Sequence, residues 1–286
     1  MAATQTSKRS IGQQLLAARQ RLAGRSENPS LDSEVLLAQV LGKERGWLLA
    51  HPEAEVDVAQ AGAFEAGLAR LEAGEPLPYI LGEWEFFGLK LKVSPEVLIP
   101  RPETELLVET ALAWLAAHLG RRLAADVGTG SGCIPVALAT HAPNLDVVAG
   151  DLSPGALAVA KANVERYHLQ ARVQLVESDL LEKLTGPFDV ISANLPYIPE
   201  ARLPELAVSK WEPQLALGGG EDGLRFIEPF LQQAQTKTTP KALILAEIDA
   251  SLEGAVVQLA RGLWPDAQVA VRSDLAGLPR LLRVEL

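Results

Sequence analysis

Phe188-Asp189-Val190-Ile191-Ser192-Ala193-Asn194-Leu195-Pro196-Tyr197 is the stretch from which the rest of the chain is read. Its first six residues form an apolar, β-rich run of buried-strand length, and the Asn and Pro after it predict a stiffened loop at the strand's C-terminal edge. Ligands of open α/β sheets bind at that edge. Asn194 offers a side-chain carbonyl oxygen, Leu195 a backbone carbonyl held extended by the proline that follows, and Tyr197 a flat ring. Two acceptors one amide width apart suit an NH2 group. Such a nitrogen is a poor nucleophile while its lone pair is delocalised. Hydrogen bonds to both its protons hold it and favour a pyramidal form whose lone pair can meet an electrophile. The loop points to an attacking NH2, although an ordinary strand-ending turn uses the same residue types.

A second strand, Leu123-Ala124-Ala125-Asp126-Val127, precedes Gly128-Thr129-Gly130-Ser131-Gly132 and a helix carrying Ile134 and Leu138, with Pro135 in its first turn where a missing N–H is tolerated. The glycines permit positive φ and close approach of backbone N–H groups to a ligand. A dinucleotide fold would use G-x-G-x-x-G over a pyrophosphate, whereas the spacing here is G-x-G-x-G with an acid just before it. S-adenosylmethionine has no phosphate and carries an ammonium and a sulfonium, so an acid at this mouth suits it better. Leu145 to Gly150 predicts the next strand, ending in Asp151, whose carboxylate can take both ribose hydroxyls or can cap the segment after Ser153-Pro154. A further strand over Ala171 to Val176 leads to Ser178-Asp179-Leu180.

At 286 residues and 48% hydrophobic content, the chain is long enough for one large domain and a small one. It contains no apolar run of about 18 residues, and Met1 to Ser10 is polar, so a cytoplasmic protein without membrane association is expected. Cys133 is the single cysteine, and His51, His118, His141 and His168 are scattered, so neither a disulfide nor a metal is expected. The formal charge is −10, about −2 of it on residues 1–75 and −8 on the remainder, with no basic cluster to neutralise a phosphate backbone. That balance argues against direct nucleic-acid binding.

The first 75 residues read as a small helical bundle. Ser10 can cap a helix with Ile11, Leu15, Ala18 and Leu22 on one face; a second begins at Ser30, and Asp57 can cap a third bearing Phe64, Leu68 and Leu71. Gly74-Glu75-Pro76-Leu77-Pro78 is turn-rich, and Glu83 to Val93 then alternates as a hairpin would. The expected domains are therefore 1–75, a β-hairpin linker 76–101, and a larger domain 102–286. Pro102 suits a helix start and Glu103 and Glu105 its positive end, but neither explains Arg101 between two prolines. Beyond a loop at Ala216 to Leu224, a helix is expected over Leu224 to Gln235 and a buried strand over Lys241 to Ile248. Ala267 to Arg272 and Leu281 to Leu286 should pair as a terminal hairpin.

Gly74-Glu75-Pro76, Pro78-Tyr79-Ile80-Leu81-Gly82, Glu85-Phe86, Gly88-Leu89 and Ile99-Pro100-Arg101-Pro102-Glu103-Thr104-Glu105, with Asn194 to Tyr197, resemble the HemK/PrmC family of protein-glutamine N5-methyltransferases. The resemblance runs over nearly the whole chain. It implies an α/β, class I (Rossmann-like) S-adenosylmethionine-dependent methyltransferase domain, a small N-terminal helical substrate-recognition domain, and a β-hairpin between them. It implies methyl transfer to the glutamine of the Gly-Gly-Gln motif in class-1 peptide-chain release factors, by a monomer. The catalytic residues would be Asn194, Leu195, Pro196 and Tyr197; cofactor-binding residues would be Gly128, Thr129, Gly130, Ser131, Gly132, Asp151, Asp179, Leu180 and Asn194, with Asp179 by the adenine amino group. Two positions depart from the family: Leu195 stands where it has Pro, and Asp249 where it usually has Gly. Competing readings are a glutamine methyltransferase of a large-subunit ribosomal protein, a nucleic-acid amino-methyltransferase, a non-catalytic cofactor-binding protein and a nicotinamide-dependent oxidoreductase.

Overall fold

A computed structural model describes residues 9–120 and 122–286, and most of the polar N-terminal stretch, Met1 to Lys8, lies outside the described residues. The chain divides into two compact units after Gly82. The first contains α1 (Ile11–Leu22), α2 (Pro29–Leu41), α3 (Arg45–Ala50), α4 (Val58–Glu72) and α5 (Leu77–Leu81). Ser10 and Asp57 each form a capping box with Gln three residues on, satisfying first-turn N–H groups that the helix itself leaves orphaned. The stripes Ile11, Leu15, Ala18, Leu22 and Phe64, Leu68, Leu71 are buried, as their spacing predicts. The short α3 was not expected. α5 extends the bundle past the turn-rich boundary at residue 75: Leu77, Pro78 and Tyr79 are buried, and Gly82 ends the helix in the left-handed region at φ 72°.

The second unit opens with the antiparallel hairpin of β1 (Glu83–Phe86) and β2 (Leu89–Lys92). A 3-10 turn at Pro102–Thr104 then runs into α6 (Glu105–Ala117). There follow β3 (Arg122–Val127), α7 (Cys133–His141), β4 (Leu145–Asp151), α8 (Pro154–Arg166), β5 (Val173–Glu177) and β6 (Phe188–Ala193). The chain finishes with α9 (Ile227–Ala234), β7 (Thr238–Glu247), α10 (Glu253–Leu263), β8 (Gln268–Ser273) and β9 (Pro279–Glu285). The sheet order is β5-β4-β3-β6-β7-β9-β8, parallel except for the antiparallel C-terminal hairpin at one edge.

Strand residues alternate between two cores, as the pleat requires. Ala124, Val147, Val190 and Leu243 face one core together with Leu107 of α6 and Leu138 of α7. Ala125, Val148, Ile191 and Ile244 face the other, with Phe230 of α9 and Val256 of α10. Strand order reverses between β3 and β6, and the register places Val127 opposite Ala193. The Gly128 and Asn194 loops thus leave the sheet side by side at the switch point, where open α/β sheets bind ligands.

Candidate active site

Three glycines shape the loop after β3, with φ of 70° at Gly128, 54° at Gly130 and 77° at Gly132. At Gly132 a side chain would also be crowded, since a Cβ would stand 3.1 Å from that of Ala160 on α8. Asp151, at the end of β4, fixes the loop's curvature: Oδ2 accepts from the Gly130 N–H at 2.8 Å and Oδ1 from that of Ser153 at 2.9 Å. Burial pushes its carboxyl above the usual range, and these backbone donors oppose the rise. Asp126 does not stand at the mouth of the site; it is fully buried beneath the loop, where Ser192 donates to Oδ1 at 2.7 Å. Burial drives this carboxyl up to about 7, with the Thr129 and Ser192 hydroxyls pulling it back and Asp151 adding repulsion. Asp126 Oδ2, Thr129 Oγ1 and Ser131 Oγ make no hydrogen bond of full geometry, although the Thr129 hydroxyl lies close enough to Asp126 to favour its ionised form.

The Asn194 loop faces it. Asn194 Nδ2 donates to Thr104 Oγ1 at 3.0 Å, and that hydroxyl donates to Glu247 Oε2 at 2.6 Å. Tyr197 donates its phenolic proton to the other Glu247 oxygen at 3.2 Å. The Leu195 side chain is buried, its Cδ2 3.1 Å from where a Gly128 Cβ would lie. Gly219 lies against the loop's outer side, for a Cβ there would meet the Tyr197 backbone at 2.7 Å. Asp249, the other departure from the family, accepts from the Ser251 N–H and starts the short turn before α10.

The Arg101 to Glu105 segment acts as a bracket. Arg101 donates to Glu212 at 2.5 Å, and that carboxylate is almost wholly buried, which accounts for the arginine between prolines. Glu105 accepts from the Phe87 N–H at 2.8 Å and anchors the hairpin turn. Asn163 on α8, fully buried, holds both backbone polar groups of Lys92 and donates to the Ser131 carbonyl at 2.8 Å, joining β2 to the glycine loop.

Between the loops lies a cavity of about 290 Å³. Gly128, Thr129, Gly130, Ser131, Asp151, Asp179, Leu180, Asn194, Leu195 and Pro196 line it; Gly132 and Tyr197 do not. Its walls also include Pro95 to Leu98, Arg101, Thr104, Pro213, Leu215 and Phe226. Thr104, Glu247 and Asn163 went unnoticed as site-building residues in the sequence. The one available signal was Thr104, inside the segment that carries the family resemblance.

Residues 103–209 match the methyltransferase small domain family, and residues 13–82 match the PrmC N-terminal domain. The structure resembles the T. thermophilus 16S rRNA N2 G1207 methyltransferase (RsmC), solved in complex with AdoMet and guanosine. The TM-score is 0.53 at 19% identity, covering 71% of this chain and 49% of that one. Sheet order, switch-point cavity and this likeness define the fold as that of a Rossmann-like methyltransferase. The release factor glutamine methyltransferase of Moorella thermoacetica is 42% identical over 266 residues, 92% of this chain and 94% of that one. That of Koribacter versatilis is 39% identical over 264 residues, 91% and 92% of the two chains. The chain belongs to the release factor glutamine methyltransferase family.

Proposed function

We propose that this protein methylates the side-chain amide nitrogen of the glutamine in the Gly-Gly-Gln motif of class-1 peptide-chain release factors, with S-adenosylmethionine as donor. The observation that carries the reading is the setting of Asn194. Its Nδ2 is engaged by Thr104, so the carbonyl oxygen is the end of the amide left for an acceptor, in the wall of the cavity that the glycine loop also lines. The names of the relatives, release factor glutamine methyltransferases, support a release-factor glutamine as the acceptor.

The residues present fit such a donor. The Thr129 and Ser131 hydroxyls and the positive-φ glycines suit the polar amino-acid end of a ligand without phosphate, and Asp151 suits ribose hydroxyls. Asp179 and Leu180 would flank the base. When bound, S-adenosylmethionine supplies a methyl already activated by a positively charged sulfur, so the chain has only to position the amide and keep water away. Asn194 Oδ1 and the Leu195 carbonyl each accept a hydrogen bond from the substrate NH2, and Pro196 stiffens the turn that follows them. Tyr197 steadies the loop from behind. The methylated nitrogen sheds its extra proton to water, so no base is required of the chain. In this reading the helical N-terminal unit recognises the substrate, residues 83–101 link it to the catalytic part, and the protein works as a cytoplasmic monomer without direct nucleic-acid contact.

The test is mass spectrometry of intact release factor after incubation with the purified protein and S-adenosylmethionine, alongside ribosomal proteins and nucleic acid. One added methyl on the Gly-Gly-Gln glutamine is expected. An unmodified glutamine there, with label on a ribosomal protein or on a base, would overturn the assignment.

A further inference from the structure

We infer that Glu247 is a positioning residue which, through Thr104, decides which end of the Asn194 side-chain amide faces the acceptor. The inference rests on the amide methylation proposed above. It begins in the sheet: β6 and β7 run parallel with Ala193 opposite Ala246, so the two strands deliver positions 194 and 247 side by side. Glu247 is 2% exposed; burial pushes its carboxyl up, and the Thr104 hydroxyl on Oε2, the Tyr197 hydroxyl on Oε1 and the charge of Arg280 pull it back toward the ionised form. A buried carboxylate is costly to keep and adds nothing a β-strand end needs, so its presence calls for a role other than packing.

The role follows from counting donors. An ionised carboxylate only accepts, and a threonine hydroxyl has a single hydrogen. Once that hydrogen is given to Glu247, Thr104 has only lone pairs to show Asn194, and the amide must answer with Nδ2, as it does at 3.0 Å. The inverted amide would set lone pair against lone pair across that contact. Its NH2 would then face the incoming glutamine, donor against donor, and one of the two acceptors that grip the substrate nitrogen would be gone. Glu247 thus sets the polarity of the relay at one end of the tetrapeptide and, through Tyr197, tethers the other end. It touches neither substrate nor cofactor.

The variants are Thr104→Val, Thr104→Ser and Glu247→Met in the full chain, with kcat measured on release factor, S-adenosylmethionine affinity by calorimetry, and melting temperature. Thr104→Ser keeps the hydroxyl and is expected within about threefold of wild type. Thr104→Val and Glu247→Met, which removes the acceptor that takes the Thr104 hydrogen, are expected to lose about 100-fold in kcat, the scale of a misplaced reacting group, with cofactor affinity changed no more than a few-fold. A merely structural role would lower cofactor affinity and melting temperature together with kcat, with Thr104→Ser no better than Thr104→Val, and that pattern would overturn the inference. Failure of the wild type to methylate release factor would sink the functional reading alone. The relay is then judged by hydrogen exchange of the Asn194 side-chain NH2, slow in wild type and Thr104→Ser and fast in Thr104→Val and Glu247→Met. Equal rates in all four proteins would refute it.

Discussion

Asp126 lies under the glycine loop with no exposure to solvent, and its carboxyl is raised from an ordinary 3.8 to about 7. Near pH 4 and below, the group is protonated in folded and unfolded chain alike, and it makes no difference to stability. Between about pH 4 and pH 7 the unfolded chain releases the proton while the folded chain keeps it, so stability declines as pH rises. Above about pH 7 both forms are ionised and the decline levels off. At 1.36 kcal/mol per tenfold change in proton affinity, the full loss is about 4 kcal/mol. Asp126→Asn removes it: the amide oxygen still accepts from Ser192, and Nδ2 can donate to the neighbouring Thr129 hydroxyl. Urea unfolding of both proteins from pH 4.5 to pH 8 can be followed by the fluorescence of Trp84, Trp114, Trp211 and Trp264, all in the second unit. The variant is expected to gain on the wild type by about 3 kcal/mol over that range, on top of a difference of about 1 kcal/mol at the acid end. Parallel pH profiles would refute the reasoning, because they would mean the buried carboxyl titrates alike in both states.

Asn194→Ala is expected to abolish turnover while leaving S-adenosylmethionine affinity within a few-fold; equal loss of both in a calorimetric titration would count against the assigned role. Gly132→Ala meets Ala160 and a φ of 77° at once. It should destabilise the second unit by about 1–3 kcal/mol in chemical denaturation, more than a left-handed residue alone would cost. Asn163→Ala leaves both polar groups of Lys92 and the Ser131 carbonyl without their partner. A loss of about 2–4 kcal/mol is expected, together with faster hydrogen exchange at the Lys92 amide, and unchanged exchange there would argue that the hairpin is held by other contacts.

Elements whose evidence is local were readable in the chain. The capped helices at Ser10 and Asp57, the G-x-G-x-G turn, the buried runs of β3, β4 and β6 and the terminal hairpin each carry their signal within about a dozen residues. Other features depended on distant partners. Thr104 and Glu247 are 143 residues apart and meet only because the turn before α6 packs over the end of β7. Arg101 was recognisable as unusual, but nothing near it in sequence names Glu212 as its partner. The five-residue α5 was hidden by prolines that read as a boundary; at the start of a helix they are tolerated, and burial of Leu77 and Tyr79 outweighs weak helix propensity. Asp126 was legible as an acid next to the loop, but its depth was not, because burial is a property of the layers above and below it.

The seating of Leu195 over Gly128 has a consequence for engineering. In the proposed function one turn lines the methyl donor and the other presents the acceptor, and a Cβ added to the first would come within 3.1 Å of the Leu195 side chain on the second. Transplanting the Asn-Leu-Pro-Tyr segment into another methyltransferase would therefore import half of a fitted joint. The recipient would need a residue without a β-carbon at the matching place, or the graft would arrive tilted, with its amide pointing past the methyl it is meant to meet.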